Sequence, residues 1–188
     1  EFNLYQESNP LQKFRINENT KICLYAGTFG VVNYLEYLIN LMSELKFIDP
    51  DIQMILIGDG SERLKLENLI LEKKLTNNIH LLNSVSKKEM IAYMQDTDVC
   101  VSTVKNIPSL FNNSANKFFD ALAAGKPVVI NHPGWLADLI NNNNLGVELN
   151  YDYVQSARKL SRFLRSDNES THTRQCRIQK YAKDNFSR

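Results

Sequence analysis

The stretch SANKFFDALAAGKPVV, residues 114–129, holds the clearest capacity for chemistry in this 188-residue chain. Lys117 and Asp120 stand three apart in a segment otherwise apolar enough to be buried helix running into buried strand, so they share one helical face. Ser114 sits where a helix N-cap belongs, and Asn116 and Lys117 fall in the first turn. Such a helix start offers free backbone N–H groups and positive partial charge beside an ammonium, which suits an anion. Asp120, one turn deeper, can accept two hydrogen bonds from a diol, while Phe118, Phe119 and Leu122 fix the helix on its support. A phosphate at the tip and a ribose beside the first turn describe a nucleotide site. The plainer alternative is a solvated Lys117–Asp120 surface pair worth about 0.2 to 0.5 kcal/mol.

Three other short segments are candidates to meet the same ligand. GTFG brings Gly27, Thr28 and Gly30, GDGSE brings Gly58, Asp59 and Gly60, and NSVS brings Val85. Glycines let backbone approach a ligand and expose N–H groups, but they also make ordinary tight turns, and singly these four allow both readings. AGTFGVVN departs from the dinucleotide fingerprint and no P-loop signature occurs, which argues against NAD binding or a simple ATPase role. Asp49-Pro50-Asp51 and Asp96-Thr97-Asp98 have the D-x-D form of a metal–diphosphate motif, yet both precede strands and so read as turns or caps away from the ligand edge. His80, His132 and His172 lack ligand spacing with any cysteine; His132 reads as a loop histidine, and no zinc site is expected. No nucleophile elbow or catalytic-cysteine signature is present. Trp135 reads as packing a helix with Leu136, Leu139 and Ile140 in preference to acting as a sugar platform.

An alternation of strands and helices positions these segments. KICLYA (21–26) is an apolar run, and after GTFG come Leu35, Leu38, Ile39, Met42 and Leu45 at helical spacing. Similar runs at 52–58, 79–83, 99–104, 127–131 and 146–150 each precede an amphipathic segment, giving six strand–helix pairs, and 169–186 reads as one more helix. Residues 141–144, NNNN, read as a helix end and the loop after it. Strands apolar on both faces, alternating with helices, predict an α/β fold: a doubly wound, mostly parallel, six-stranded Rossmann-like sheet of order 3-2-1-4-5-6. Ligands of such sheets bind outside the C-terminal strand ends where the order reverses, here between strands 1 and 4, the edge that carries every loop named above. Residues 1–20, polar and aperiodic with Pro10, read as a linker or docked arm ahead of a domain at 21–188.

Bulk properties narrow the partners. With 22 basic and 21 acidic residues the net charge is +1, so nucleic acid finds no large basic field and is disfavoured as a partner. Cys23, Cys100 and Cys176 form an odd, widely spaced set, which points to a reducing compartment and a cytoplasmic location. No run approaches the roughly 18 apolar residues of a membrane span.

Four segments carry a resemblance. YAGTFG…NYLEYLINL, ILIGDGSERLKLENL, NIHLLNSVSKKEMIAYMQDTDVCVSTV and SANKFFDALAAGKPVVINHPGWLADLI…LGVEL resemble, in order, the nucleotide-sugar half of family 4 glycosyltransferases, over residues 21 to about 185. Within that family the last run is similar to bacterial enzymes that build surface polysaccharides, including transferases of N-acetylated deoxy sugars. The resemblance implies the C-terminal half of a GT-B fold, a retaining, metal-independent transfer without cofactor, and a nucleotide-diphosphate sugar, UDP by the family's habits, as donor. It implies a polysaccharide or lipid-linked glycan as acceptor, and an acceptor domain ahead of residue 1. It also implies peripheral association of the full enzyme with the cytoplasmic face of the membrane, and a fragment that binds nucleotide with little or no turnover. By the same likeness Asp120 matches the acid that holds the donor ribose, and Val85 lies beside the nucleobase. Asn112 stands where the family has a carboxylate gripping the donor sugar, and Thr28 and Asn33 stand where it has an Arg and a Lys for the diphosphate. Lys117 with backbone N–H groups is the expected replacement. The competing readings are a non-catalytic nucleotide-binding regulatory module and a UDP-sugar epimerase-like domain.

Overall fold

A computed structural model describes residues 10–14, 17–112, 115–166 and 168–186. Six strands form one sheet: β1 (Lys21–Ala26), β2 (Ile52–Ile57), β3 (Ile79–Leu82), β4 (Val99–Ser102), β5 (Val128–Ile130) and β6 (Gly146–Glu148). Their order is β3-β2-β1-β4-β5-β6, every pairing is parallel, and β1 runs in register with β2 from Lys21↔Ile52 to Ala26↔Ile57. The expected doubly wound order is therefore the one formed. The crossover helices are α1 (Leu35–Ile48), α2 (Arg63–Glu72), α3 (Lys87–Asp96), α4 (Asn116–Ala123) and α5 (Trp135–Asn143), and α6 (Tyr153–Arg165) and α7 (Thr171–Phe186) follow β6.

The period-2 geometry of a strand sends alternate side chains of β1 into two different cores. Cys23 and Tyr25 join Leu38, Leu45, Leu66 and Leu160 under α1, α2 and α6, whereas Ile22 and Leu24 join Met94, Phe118, Ile140 and Ile178 under α3, α4, α5 and α7. Both faces are covered, as a parallel sheet requires. Ahead of β1, Leu11 of the 3-10 turn Pro10–Lys13 is buried, and Phe14 stacks on His80 with ring centroids 4.3 Å apart. Cys23 and Cys100 are buried free thiols. No helix among the described residues is long and apolar enough to cross a membrane.

Both D-x-D triplets lie at the N-terminal edge of the sheet, and one carboxylate of each is held by structural partners. Asp49 accepts a fork from Arg165, Nε at 2.9 Å and Nη2 at 2.8 Å, and a hydroxyl from Ser161; these donors hold its carboxyl below the ordinary range. Asp98 accepts the Ile22 amide at 2.8 Å and the Lys21 ammonium at 3.1 Å, which ties β4 to β1. The opposite edge is left for ligands.

Candidate nucleotide site

At the C-terminal edge the first loop is laid against the second. The Gly27 amide donates to Ile57 O at 3.0 Å and the Phe29 amide to Asp59 O at 2.8 Å, while the Phe29 side chain is fully buried beneath them. Gly58 and Gly60 have φ of +152° and +156°; a Cβ on Gly58 would lie 1.9 Å from Gly27 O, and one on Gly60 2.6 Å from Phe29 O. Glycine at these two positions is thus demanded by the neighbouring loop, which the sequence could not distinguish from a demand by a ligand. Asp59 is exposed and folds its Oδ1 back to accept the Gly60 amide at 2.8 Å. A pocket of about 290 Å³ opens above, lined by Gly27, Thr28, Gly58, Asp59, Val85 and Met90 among others. Val85 is presented by a capping box at the start of α3, in which the Ser86 hydroxyl accepts the Glu89 amide and the Glu89 carboxylate accepts the Ser86 amide.

The alternative surface pair of Lys117 with Asp120 does not form. Lys117 turns inward, lying 3.0 Å from the Tyr25 hydroxyl, 3.4 Å from Asn33 Oδ1 and 4.3 Å from the centre of the Tyr25 ring. Its Nζ lies beside Gly27, 3.6 Å from where a Cβ there would stand. The Tyr25 hydroxyl donates a hydrogen bond to Thr28 O, which also accepts the side-chain amide of Asn33. Burial pulls the Lys117 ammonium down to about 8, and no carboxylate pairs with it among the described residues. A buried cation without a counter-ion is costly in an isolated protein, and a bound anion removes that cost. The amides of Thr28 and Gly30 donate to no described residue, so they remain open on the same loop.

Asp120 is exposed and accepts no hydrogen bond from a described residue. Partial burial raises its carboxyl above the ordinary range, and the Lys87 charge at the start of α3 opposes that shift. Asp120 does not itself line the pocket at Val85; the Lys87 charge that reaches it stands two residues past Val85 in the chain. Asn112 and Asn116 are exposed, and Ser114 lies outside the described residues. The cap position of α4 belongs to Ala115, which supplies no side-chain cap; the helix begins one residue later than its sequence suggests.

Trp135 packs between helices, as its neighbours suggest, but only in part. It is 40% exposed and lies against Phe119, with centroids 6.4 Å apart, while Leu136, Ala137 and Ile140 of its helix enter the core and Leu139 packs partly against it. Sequence reasoning passed over Tyr25 and Asn131 altogether. The Tyr25 signal was a hydroxyl inside the apolar run KICLYA. Asn131, fully buried, accepts the Val104 amide and donates to Val104 O, both at 2.9 Å, pinning the loop after β4. The Thr103 hydroxyl then donates to Asn33 O at 2.6 Å, joining that loop to the one that holds Lys117.

Larger clefts of about 600 Å³ lie elsewhere, one along α6 and one at the N-terminal edge, away from the Lys117 cluster. No group of three or more His, Cys, Asp or Glu among the described residues could hold a metal.

Comparison with known proteins agrees with this fold. An uncharacterized glycosyltransferase of Methanocaldococcus jannaschii is 25% identical over 132 residues, 70% of this chain and 32% of its own length. Anabaena HepE in complex with UDP-glucose superposes with a TM-score of 0.73 at 20% identity, covering 90% of this chain and 45% of that one. S. aureus TarM, in complex with fondaparinux, alpha-GlcNAc-glycerol and UDP, superposes with a TM-score of 0.72 at 18% identity, covering 98% of this chain and 35% of that one. The chain thus spans between about a third and a half of the length of these relatives. The family model for glycosyl transferases group 1 matches residues 7–184, and the chain belongs to that family.

Proposed function

We infer that this chain is the donor-binding half of a glycosyltransferase, holding a UDP-sugar whose sugar passes, with retention and without a metal, to a glycan or lipid-linked acceptor. The base enters the pocket at Val85, the ribose diol meets Asp120, and the diphosphate meets Lys117 with the amides of Thr28 and Gly30. Support comes from the group 1 family and from neighbours whose solved complexes contain UDP or UDP-glucose. The observation that carries the reading is the inward, counter-ion-free Lys117 beside Gly27, which supplies from α4 a charge that Thr28 and Asn33 cannot supply from the first loop. In this reading an acceptor domain outside the chain completes the enzyme, which works in the cytoplasm at the membrane face.

Calorimetry with UDP, GDP and their sugar conjugates tests the proposal. Submillimolar binding of UDP, tighter than GDP, is the expected result. Absent or millimolar binding for every nucleotide would leave the domain as a regulatory module without a donor.

A further inference from the structure

Beside this site stands a polar side chain to which the reading above gives no role. His132, at the end of β5, is only 2% exposed. Its Nδ1 lies 2.8 Å from Pro133 O, and because a carbonyl can only accept, Nδ1–H is the donor and the matching imidazole tautomer has its acceptor at Nε2. Nε2 has no partner among the described residues. No buried side-chain nitrogen or oxygen there lacks a partner either, so the small accessible part of the ring includes Nε2. One open acceptor on an otherwise enclosed ring is the form of a ligand contact.

The surroundings hold this ring still. It stacks on Phe111 with centroids 5.7 Å apart and planes 8° from parallel. Gly134, at φ +115°, brings its backbone so close that a Cβ would meet Phe111 O at 3.0 Å. Asn131, the preceding residue, is locked to Val104 by two hydrogen bonds. The loops after β4 and β5 are thereby fixed together, with Asn112 next to Phe111 in the chain.

We propose that His132 contacts the transferred sugar, its Nε2 accepting a hydrogen bond from a hydroxyl of the donor hexose. The proposal rests on the reading of this edge as a nucleotide-sugar site. Its physical basis is the order of groups along the sheet. The pocket with Val85 lies at the ends of β1, β2 and β3, the Lys117 ammonium between β1 and β4, and His132 at the end of β5. Strands stand about 4.8 Å apart, so this row has the length and sequence of base, diphosphate and sugar. A neutral acceptor suits a hydroxyl and repels a phosphate oxygen. It also supplies a polar contact next to Asn112, where an anionic acceptor is absent.

The test is calorimetry of UDP, UDP-glucose and UDP-N-acetylglucosamine against the wild type, His132→Phe and His132→Asn. The first variant keeps the ring stack, and the second keeps a donor for Pro133 O; both lack Nε2. His132→Gln restores a polar atom near the Nε2 position. Wild type should bind the better UDP-sugar more tightly than UDP, and the Phe and Asn variants should lose about three- to tenfold of that difference with UDP affinity unchanged. The Gln variant should recover part of it. An unchanged ratio of UDP-sugar to UDP affinity in either folded variant overturns the proposal and leaves the donor reading intact. Equal wild-type affinity for UDP and both UDP-sugars also overturns it. Failure of the wild type to bind any nucleotide overturns both.

Discussion

Replacing Lys117 with Met should move stability and ligand affinity in opposite directions. Burial pulls the ammonium from 10.5 to about 8 with no carboxylate beside it, so keeping it charged at pH 7 costs about 3 kcal/mol. The contacts to the Tyr25 hydroxyl and ring offset about 1 kcal/mol each, leaving about 1 kcal/mol against the folded state. Met preserves the apolar stem, so the variant should gain that amount and melt about 2 to 4 °C higher. The folded pKa lies below the unfolded one for a base, so the penalty is complete below about pH 8 and fades toward pH 10.5. The stabilisation should fade with it. Meanwhile the variant loses a charge-assisted hydrogen bond to diphosphate, about 1.5 to 3 kcal/mol, or about 10- to 150-fold in Kd. Thermal melts at pH 7 and 10.5, with UDP calorimetry at pH 7, read both arms. UDP binding within about twofold of wild type, or a lower melting point at pH 7, refutes the reasoning.

Three further outcomes follow from the same geometry. Asp120→Asn should weaken UDP about tenfold and erase any preference for UDP over 2′-deoxy-UDP; a preference that survives contradicts the ribose contact. Gly58→Ala must push a Cβ into Gly27 O, 1.9 Å away, and should lower the melting temperature by at least about 5 °C. A melt within about 2 °C of wild type would show that the two loops are not packed as described. UDP affinity should be the same in EDTA as in magnesium, and a tenfold loss in EDTA would mean that a metal shares the diphosphate.

The fold was legible because each strand is a short, mostly apolar run and each crossover helix carries its own period. β1 coincides with KICLYA to the residue, and six strands with right-handed crossovers leave few orders to choose from. The later strands are shorter than their apolar runs. VCVSTV pairs only from Val99 to Ser102, since Thr103 and Val104 leave the ladder to bond Asn33, Asn131 and Tyr151. Such long-range side-chain bonds have no local signature. The same limit governs Lys117: spacing placed it on one face with Asp120, but the partner that draws it inward, Tyr25, is 92 residues away. Glycine at 58 was legible as a requirement and illegible as to cause, because a ligand and a neighbouring loop exclude a Cβ alike.

The central claim concerns place: a nucleotide diphosphate sits between the first loop and the start of α4. Amide chemical-shift mapping by NMR during a UDP titration tests it most directly. The largest changes should fall at Gly27, Thr28, Gly58, Val85 and Lys117, with residues 155–162 of α6 silent. Shifts concentrated along α6 around Arg158 and Arg162, or confined to the N-terminal edge near Lys126, would contradict the account.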